Sequence, residues 1–252
     1  MATLTAHCLV KNEENFISYA IKSVIDFVDQ IIIFDTGSTD KTVQIIQNLA
    51  KEYPNKIIFE EKGECDKAGH TRLRQEMVER TKTDWFMILD GDEVWPQRTM
   101  KEAKEIMERG VYDGIQIHFF ECVGDIYHRH YKESYLTARF VKMGDMRWGG
   151  DYEQDTYYTK SGAEFLKTKN MYLAQNRFWH LTHLERSGKD SEDYSSGGKR
   201  ADKRILTYFL VGVKVNEPIP EVFAQDSAKL RLSWSNSFIN FFKLLAFKIK
   251  NI

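Results

Sequence analysis

The sequence predicts an α/β fold built on a mostly parallel sheet that helices cover on both faces. Over residues 3–95, short apolar runs alternate with polar turns and amphipathic helical patterns. Such an alternation is typical of strand–helix–strand crossover units, whose strands pair in parallel. The second observation is size, because a chain of 252 residues is long enough for one α/β domain with a large core.

The individual elements follow from the apolar pattern. Uninterrupted apolar runs are typical of strands that are buried on both faces, and they predict strands at 4–10, 30–35, 56–59 and 85–89. The segments after the first three of these strands predict helices that end near residues 27, 53 and 80. In the second half, further runs predict strands at 114–120 and 136–143, with a loop or flap at 121–133.

Polar clusters follow three of the strands, at residues 11–14, 35–40 and 90–93. Ligands of parallel sheets bind outside the carboxyl ends of the strands, so we expect the three clusters along one edge. Asp35 ends its apolar run before the turn, where a carboxylate can accept hydrogen bonds from a base or a ribose. The alternative for the flanking residues, such as Asn12 and Asp40, is helix capping. Together the clusters favour a nucleotide site.

Asp90 and Asp92 form the most informative of these clusters. Two carboxylates separated by one glycine repel each other unless a cation neutralises them. Hard oxygen ligands favour Mg²⁺ or Mn²⁺, and such an ion commonly shares its coordination shell with substrate phosphates. The alternative is an acidic turn, since Asp-Gly is common turn chemistry.

The order and spacing of these motifs resemble the family 2 glycosyltransferases of the GT-A fold. The resemblance is carried by CLVKNEE at 8–14, FDTGSTDKT at 34–42 and LDGDEV at 89–94. The segment GHTRLRQ at 69–75 is similar to that family's basic segment. The likeness covers residues 1 to about 100 and extends more weakly to about 185.

The resemblance implies roles for individual residues. Asp35 would contact the base of a nucleotide, and Arg74 would lie near the phosphates, although a solvated helix face is the alternative for Arg74. Asp90 and Asp92 match the DxD motif, which holds Mn²⁺ or Mg²⁺ on the donor diphosphate. The further candidates for donor binding lie in the first motif and are Asn12 and Glu13.

The chemistry is expected in the second half of the chain. The segment MRWGGDYEQ at 146–154 resembles the part of the family where an aromatic residue, a glycine and an acid meet the acceptor. The histidine that frequently precedes the family's glutamate is absent here. The general base therefore stays open between Asp151 and Glu153, and Glu153 is favoured because the family pattern ends in Glu-Gln.

Two histidines interrupt the apolar run at 178–184, His180 and His183. Family members often place a histidine here as a further metal ligand, so either could complete the shell around Asp92. The alternative is a structural pair, since hard divalent ions prefer oxygen. Residues 185–204 are predicted to form a mobile loop whose basic residues could neutralise a diphosphate, or a solvent-facing linker. These residues are Lys199, Arg200 and Arg204.

Composition agrees with an enzyme of the cytoplasm. A net charge of −1 gives no electrostatic case for nucleic-acid binding. Three scattered cysteines indicate neither a disulfide framework nor a zinc site. No signal peptide and no run long enough to span a bilayer are visible. The tail at 226–252 has the aromatic stripe of an amphipathic helix, which could contact the membrane surface peripherally, form a homodimer or dock on the domain.

The sequence thus predicts a GT-A domain at 1–225, with a nucleotide-sugar half at about 1–110 and an acceptor half at about 111–225, followed by the helix at 226–252. The expected activity is inverting transfer of a sugar, most simply from a UDP-linked donor, to a hydroxyl of a glycan or lipid-linked acceptor. The alternatives are a catalytically silent nucleotide-sugar binding protein and a nucleotidyltransferase. The acidic residues after the first strand argue against the latter, since they suit a triphosphate poorly.

Overall fold

The computed structural model of the chain describes residues 1–144, 146–149, 156–159, 164, 167, 170–188 and 212–231. The helices are Ile17–Val24 (α1), Thr42–Glu52 (α2), Lys67–Arg80 (α3) and Gln97–Arg109 (α4), with a short 3-10 helix at Glu221–Phe223. The strands of the first half are Leu4–Val10 (β1), Gln30–Asp35 (β2), Ile57–Glu61 (β3), Trp85–Ile88 (β4) and Glu93–Val94 (β5). The later strands are Gly114–Ile117 (β6), Phe119–Glu121 (β7), His128–His130 (β8), Thr137–Lys142 (β9), Met146–Gly149 (β10), Thr156–Thr159 (β11), Met171–Leu173 (β12), Phe178–His180 (β13) and Gly212–Lys214 (β14).

The central sheet has seven strands in the order β12-β6-β9-β4-β1-β2-β3. β1 pairs in parallel with β2 and β4, β2 with β3, and β12 with β6. β9 runs antiparallel between β4 and β6. This mostly parallel sheet with flanking helices confirms the predicted fold class.

The apolar runs form strands because both faces of the sheet are covered. Every residue of β1 and of β4 is buried, which is the pattern of a central parallel strand. α1 buries one apolar stripe, including Ile17 and Ile21, in the main core. Gly110, with φ of 67°, ends α4 in the left-handed conformation that glycine adopts most easily.

The predicted strand at 114–120 is wrong in its extent. The strand is interrupted at His118. β6 therefore stays in the central sheet, whereas β7 joins a second sheet of order β5-β13-β7, called here the small sheet. Periodicity could not separate the two because both strands are apolar. Within the predicted flap at 121–133, residues His128–His130 pair with β14.

The small sheet has two different faces. Val94, Phe120 and Trp179 lie opposite one another and pack in a second apolar cluster. Phe119 and Phe178 lie on the other face, which packs on the main core. The small sheet begins at Glu93, directly after the Asp90–Asp92 motif, and therefore extends the edge of the central sheet on which that motif lies.

The predicted C-terminal helix falls mostly outside the described residues. Of the range 226–252, only 226–231 are described, and they form turns instead of a helix. Asp226 accepts a hydrogen bond from the Tyr19 hydroxyl at 2.9 Å, which fixes this turn beside α1. Within the described ranges, no helix has the length and apolar character needed to cross a bilayer.

Candidate active site

The three predicted polar clusters lie side by side. β4, β1 and β2 are neighbours in the sheet, and Val10 pairs with Asp35 at their carboxyl ends. The amide of Leu89 donates to the carbonyl of His7 at 3.0 Å, which brings the Asp90–Asp92 turn next to the end of β1. The prediction of one polar edge is therefore confirmed by the topology.

Asp35 is buried and closes the turn that follows its own strand. One carboxylate oxygen accepts the amides of Gly37 and Ser38 at 3.0 and 2.9 Å, and the other accepts the Ser38 hydroxyl. Gly37, with φ of 89°, has a conformation that other residues rarely adopt, and an added Cβ would lie 2.8 Å from Glu64 Cγ. The nucleotide-binding role of Asp35 stays a prediction. Three hydrogen bonds within the turn already use its carboxylate, which leaves about one lone pair for a ligand.

Asn12 joins the first polar turn to the second. Its amide donates to Ser38 Oγ at 2.9 Å, and its side-chain oxygen accepts the amide of Thr39 at 2.8 Å. Asn12 has φ of 54°, in the left-handed region that asparagine tolerates better than most residues. Glu13 in turn donates its amide to Thr42 Oγ1 at 2.8 Å. The capping alternative is wrong for α1, which begins at Ile17 without a side-chain cap.

Asp90 is held between two arginines. Its Oδ1 lies 3.1 Å from Arg74 Nη2, and its Oδ2 lies 3.0 Å from Arg139 Nη2. Burial opposes ionisation of Asp90, but Arg139 and Arg74 outweigh it, so its pKa lies below the ordinary value. Arg74 is itself buried and also donates to the carbonyl of His7 at 3.4 Å. The alternative of a solvated helix face for Arg74 is therefore wrong.

Arg139, on β9, also binds the fully buried Glu93. Burial raises the pKa of Glu93 to about 8; Arg139 opposes this shift, whereas the nearby charge of Asp90 adds to it. The sequence did not identify Arg139 as a site residue. The available signal was a cation next to the apolar residues Phe140 and Val141, which becomes interpretable only when the strand order places β9 beside β4.

Asp92 lies beside His180, with 3.4 Å between Oδ1 and Nε2. Burial opposes the charge on both groups, but their mutual attraction outweighs it. The pKa of Asp92 falls to about 2, and that of His180 rises to about 9. The structure thus brings one of the two predicted histidines to the motif. His183 lies elsewhere, with its Nε2 2.8 Å from Glu121 Oε1.

The donor set beside Asp92 suits a divalent ion that shares its shell with phosphate. Among the residues that the structure describes, no group of three or more His, Cys, Asp and Glu side chains is arranged to hold a metal. Asp92 and His180 can offer one oxygen and one nitrogen, and a magnesium-type ion takes its other ligands from water and phosphate. A histidine must be neutral to bind a metal, so an ion would compete with the proton on His180.

Arg186 is a further cation that the sequence did not identify. Its guanidinium binds Glu13 and lies 4.0 Å from Asp92 Oδ2. The backbone beside it is fixed to the first polar turn, because the amide of Asn15 donates to the Arg186 carbonyl at 2.9 Å and Glu14 accepts the amide of Gly188 at 3.1 Å. The start of the predicted 185–204 loop therefore lies against the end of β1.

The predicted catalytic acids, Asp151 and Glu153, lie outside the described residues, as do the basic residues of the 185–204 loop. The strand before the acids is described: the amide of Trp148 in β10 donates to Gln75 Oε1 in α3 at 2.7 Å. α3 also carries Arg74, whose guanidinium lies 5.9 Å from the centroid of the Trp148 ring, so β10 lies beside the polar edge.

A mostly parallel sheet whose β4 strand is followed by an Asp-Gly-Asp turn is the arrangement expected of a glycosyltransferase of the GT-A type. The family model described as Glycosyl transferase family 2 matches residues 8–181, which is more than half of the chain. The chain belongs to this family.

Relatives agree with this assignment. The chain is 26% identical to an uncharacterised glycosyltransferase of Rickettsia felis over 68% of its own length and 52% of the relative's. It is also 26% identical to the SPbeta prophage-derived glycosyltransferase SunS of Bacillus subtilis, over 70% of this chain and 40% of that protein. The chain thus spans about half the length of the curated relatives that it matches.

A solved structure supports the fold. The crystal structure of S. aureus TarS 1-349 in complex with UDP-GlcNAc superimposes with a TM-score of 0.51. The two chains are 12% identical, and the match covers 83% of this chain and 67% of that one.

Proposed function

We propose that this glycosyltransferase takes its sugar from a UDP-linked donor and transfers it, with inversion, to a hydroxyl group of a glycan or lipid-linked acceptor. The observation that carries the proposal is the convergence of Asp35, Arg74 and the Asp90–Asp92 turn at one edge of the sheet. A carboxylate for the nucleotide, a cation for the phosphates and an acidic metal site are the groups that a nucleotide-sugar donor requires. The S. aureus TarS structure with UDP-GlcNAc supports the choice of nucleotide.

The donor would lie across the ends of β1, β2 and β4. Asp35 would accept from the base or ribose, and Asn12 and Glu13 would line the same turn. Arg74 would approach the diphosphate, where a buried cation stabilises the charge that develops on the leaving group. The positions of these side chains are already fixed by hydrogen bonds, so little reorganisation is needed when the donor binds.

The metal ligands would be Asp92 and His180, with Asp90 as the carboxylate next to them. When bound, Mn²⁺ or Mg²⁺ would act as a Lewis acid on the diphosphate. Arg139 and Arg74 fix the orientation of Asp90. Both oxygens of Asp90 are already paired with arginines, which stay charged, whereas the partner of Asp92, His180, can release its proton and bind the ion as well.

The acceptor hydroxyl would lose its proton to a general base from the 151–153 segment. Glu153 is favoured over Asp151 because the family pattern ends in Glu-Gln, as here at Glu153 and Gln154. A carboxylate general base suits a single in-line displacement, in which the acceptor oxygen attacks as the diphosphate leaves.

The transferase domain and the C-terminal segment would have separate roles. The transferase domain would extend over 1–225, and the segment that follows the turns at 226–231 would contact a membrane surface peripherally or a second copy of the chain. The aromatic stripe and lysines of that segment support either contact.

A thermal-shift screen with UDP- and GDP-sugars, each with and without Mn²⁺, tests the proposal. A ligand at about 100 times its dissociation constant stabilises the folded state by about 2.7 kcal/mol. We expect stabilisation by one or more UDP-sugars, increased by Mn²⁺, and UDP release when an acceptor is added. A protein that no UDP-sugar stabilises, or that GDP-sugars stabilise instead, would contradict the proposed donor.

A further inference from the structure

The small sheet carries a polar row that leads away from the Asp90–Asp92 turn. His180 pairs with Glu93 on one side and with Glu121 on the other. Residues that pair directly across neighbouring strands project to the same face of a sheet. The side chains of Glu93, His180 and Glu121 therefore form one row across the three strands.

The same face changes character along its length. Next to the polar row along the strands lie Phe119 and Phe178, which pack on the main core. The ring of Phe119 contacts His180 edge-on at 5.2 Å. The polar row thus lies where the apolar face ends. Its inner end, Glu93, is buried beside the proposed metal ligands, and its outer end, Glu121, is partly exposed.

Two residues from outside the row lie near its outer end at Glu121, namely His183 and Tyr135. The side chains of His183 and Glu121 are 31% and 34% exposed, and they are joined at 2.8 Å. Hydrogen bonding to His183 is the largest cause that lowers the pKa of Glu121, and the charge of His180 contributes as well. Glu121 is therefore an ionised acceptor within electrostatic reach of the inner end.

Tyr135 supplies an aromatic surface at the same place. It is 71% exposed, which is unusual for so large a ring, and its ring lies edge-on to Phe119 at 5.2 Å. Partial desolvation raises the pKa of the Tyr135 phenol, and the carboxylates of Asp90, Glu93 and Glu121 raise it further. The Tyr135 ring thus lies against Phe119, whose own ring contacts His180, and is therefore close to the polar row.

We propose that Glu121, His183 and Tyr135 form the acceptor subsite and that the group bound there is a sugar. A carboxylate accepts hydrogen bonds from hydroxyl groups, an imidazole can donate or accept, and an exposed aromatic ring covers the apolar face of a pyranose. The row begins beside the proposed metal site, so a sugar on it lies next to the reacting end of the donor. This inference rests on the proposed glycosyl transfer.

Metal binding and a simple surface ion pair both account less well for these three residues. Among the described residues, Glu121 and its neighbours do not form a group that could hold a metal. A solvated surface ion pair would account for Glu121 and His183, since such pairs are common. It would not account for an exposed tyrosine ring that lies edge-on to Phe119 on the same face of the small sheet.

Saturation-transfer NMR with methyl glycosides tests the inference. The probes are the methyl glycosides of glucose, galactose, mannose and N-acetylglucosamine, each added to the full chain with UDP and Mn²⁺. We expect the wild type to bind at least one of them, and Glu121→Gln and Tyr135→Ala to weaken that binding about tenfold or more. Glu121→Gln removes no apolar contact, and Tyr135→Ala removes the edge contact with Phe119. UDP affinity, measured in parallel, should stay within about twofold of wild type.

Glu217→Gln is the matched control. The Glu217 side chain is 33% exposed and lies 2.8 Å from Arg98 Nη2, but it lies outside the polar row. The control should bind the glycoside as the wild type does. Unchanged glycoside binding in Glu121→Gln and Tyr135→Ala would overturn the subsite. A wild type that binds UDP but none of the glycosides would overturn the sugar assignment alone, whereas failure to bind UDP would contradict the proposed function itself.

Discussion

The proposed donor-binding edge of the central sheet is built differently from the polar row of the small sheet. This edge, which includes Asp35, Arg74 and the Asp90–Asp92 turn, is called here the donor edge. At the donor edge, Asp35, Arg74 and Asp92 are 2%, 6% and 4% exposed, and each is held by specific neighbours. At the outer end of the row, Glu121 and His183 are about one-third exposed. A preorganised edge suits a constant ligand such as a nucleotide diphosphate, and an open row suits a ligand that varies. We therefore expect the donor edge to bind the nucleotide and the polar row to determine which acceptor is bound.

This difference predicts that a substitution of the proposed general base lowers turnover but leaves the affinity for the donor nucleotide unchanged. Glu153→Gln keeps the shape of the side chain but cannot accept a proton at neutral pH. It should reduce kcat by about 10²–10⁴-fold. Isothermal titration with UDP should show unchanged affinity. Asp151→Asn is the control, and full activity in Glu153→Gln combined with a loss in Asp151→Asn would transfer the role of base to Asp151.

Damage to the buried arginines of the donor edge should instead lower stability. Arg139→Met leaves Glu93 and Asp90 without their shared cation, and removing one partner of a buried pair typically costs about 3–5 kcal/mol. Urea denaturation measures the free energy of unfolding. Arg177→Met is the matched control, because Arg177 pairs with the half-exposed Glu133 and such pairs contribute about 0–1 kcal/mol. Equal losses in the two variants would refute a special structural role for Arg139.

Asp35→Ala should weaken UDP binding by roughly 1–3 kcal/mol, the range for hydrogen bonds to charged groups. Because Asp35 also closes its own turn, the turn must be tested separately. Ser38→Ala removes one of the same turn contacts but keeps the carboxylate, and it should bind UDP more tightly than Asp35→Ala. Identical affinities of the two variants would assign Asp35 a structural role only.

The charge pattern of the donor edge predicts how stability depends on pH when no metal is bound. Burial raises the pKa of Glu93 to about 8, and Asp92 raises that of His180 to about 9 against the opposing effect of burial. Both groups hold protons in the folded state that the unfolded chain releases at lower pH. Stability from these protons is therefore lost as the pH rises, and the melting temperature should fall between about pH 6.5 and 9.

The expected fall is at least about 2–4 °C, the change that corresponds to 1 kcal/mol in a chain of this size. Glu93→Gln cannot ionise and should show a smaller fall up to about pH 8. A melting temperature that stays constant or rises over this interval in the wild type would contradict the assigned protonation states.

The sequence predicted that the polar clusters lie along one edge of the sheet, because the information for this placement is local. β1, β2 and β4 are continuous apolar runs, and each polar cluster directly follows its strand. The contacts of Arg139 and Arg186 could not be predicted, because they join Asp90 and Glu13 to residues far along the chain, and only the strand order brings them together. The polar row could not be predicted for the same reason. The interruption of the strand at His118 places β7 in another sheet, which the apolar pattern does not indicate.

The central claim is that Asp92 couples nucleotide binding to a divalent ion. Isothermal titration of UDP into the wild type, Asp92→Asn and the exposed control Asp26→Asn, each in Mn²⁺ and in EDTA, tests it most directly. We expect Mn²⁺ to strengthen UDP binding to the wild type and to Asp26→Asn, and Asp92→Asn to lose this effect while it remains folded. An Asp92→Asn protein that binds UDP with the affinity and Mn²⁺ dependence of the wild type would contradict the claim.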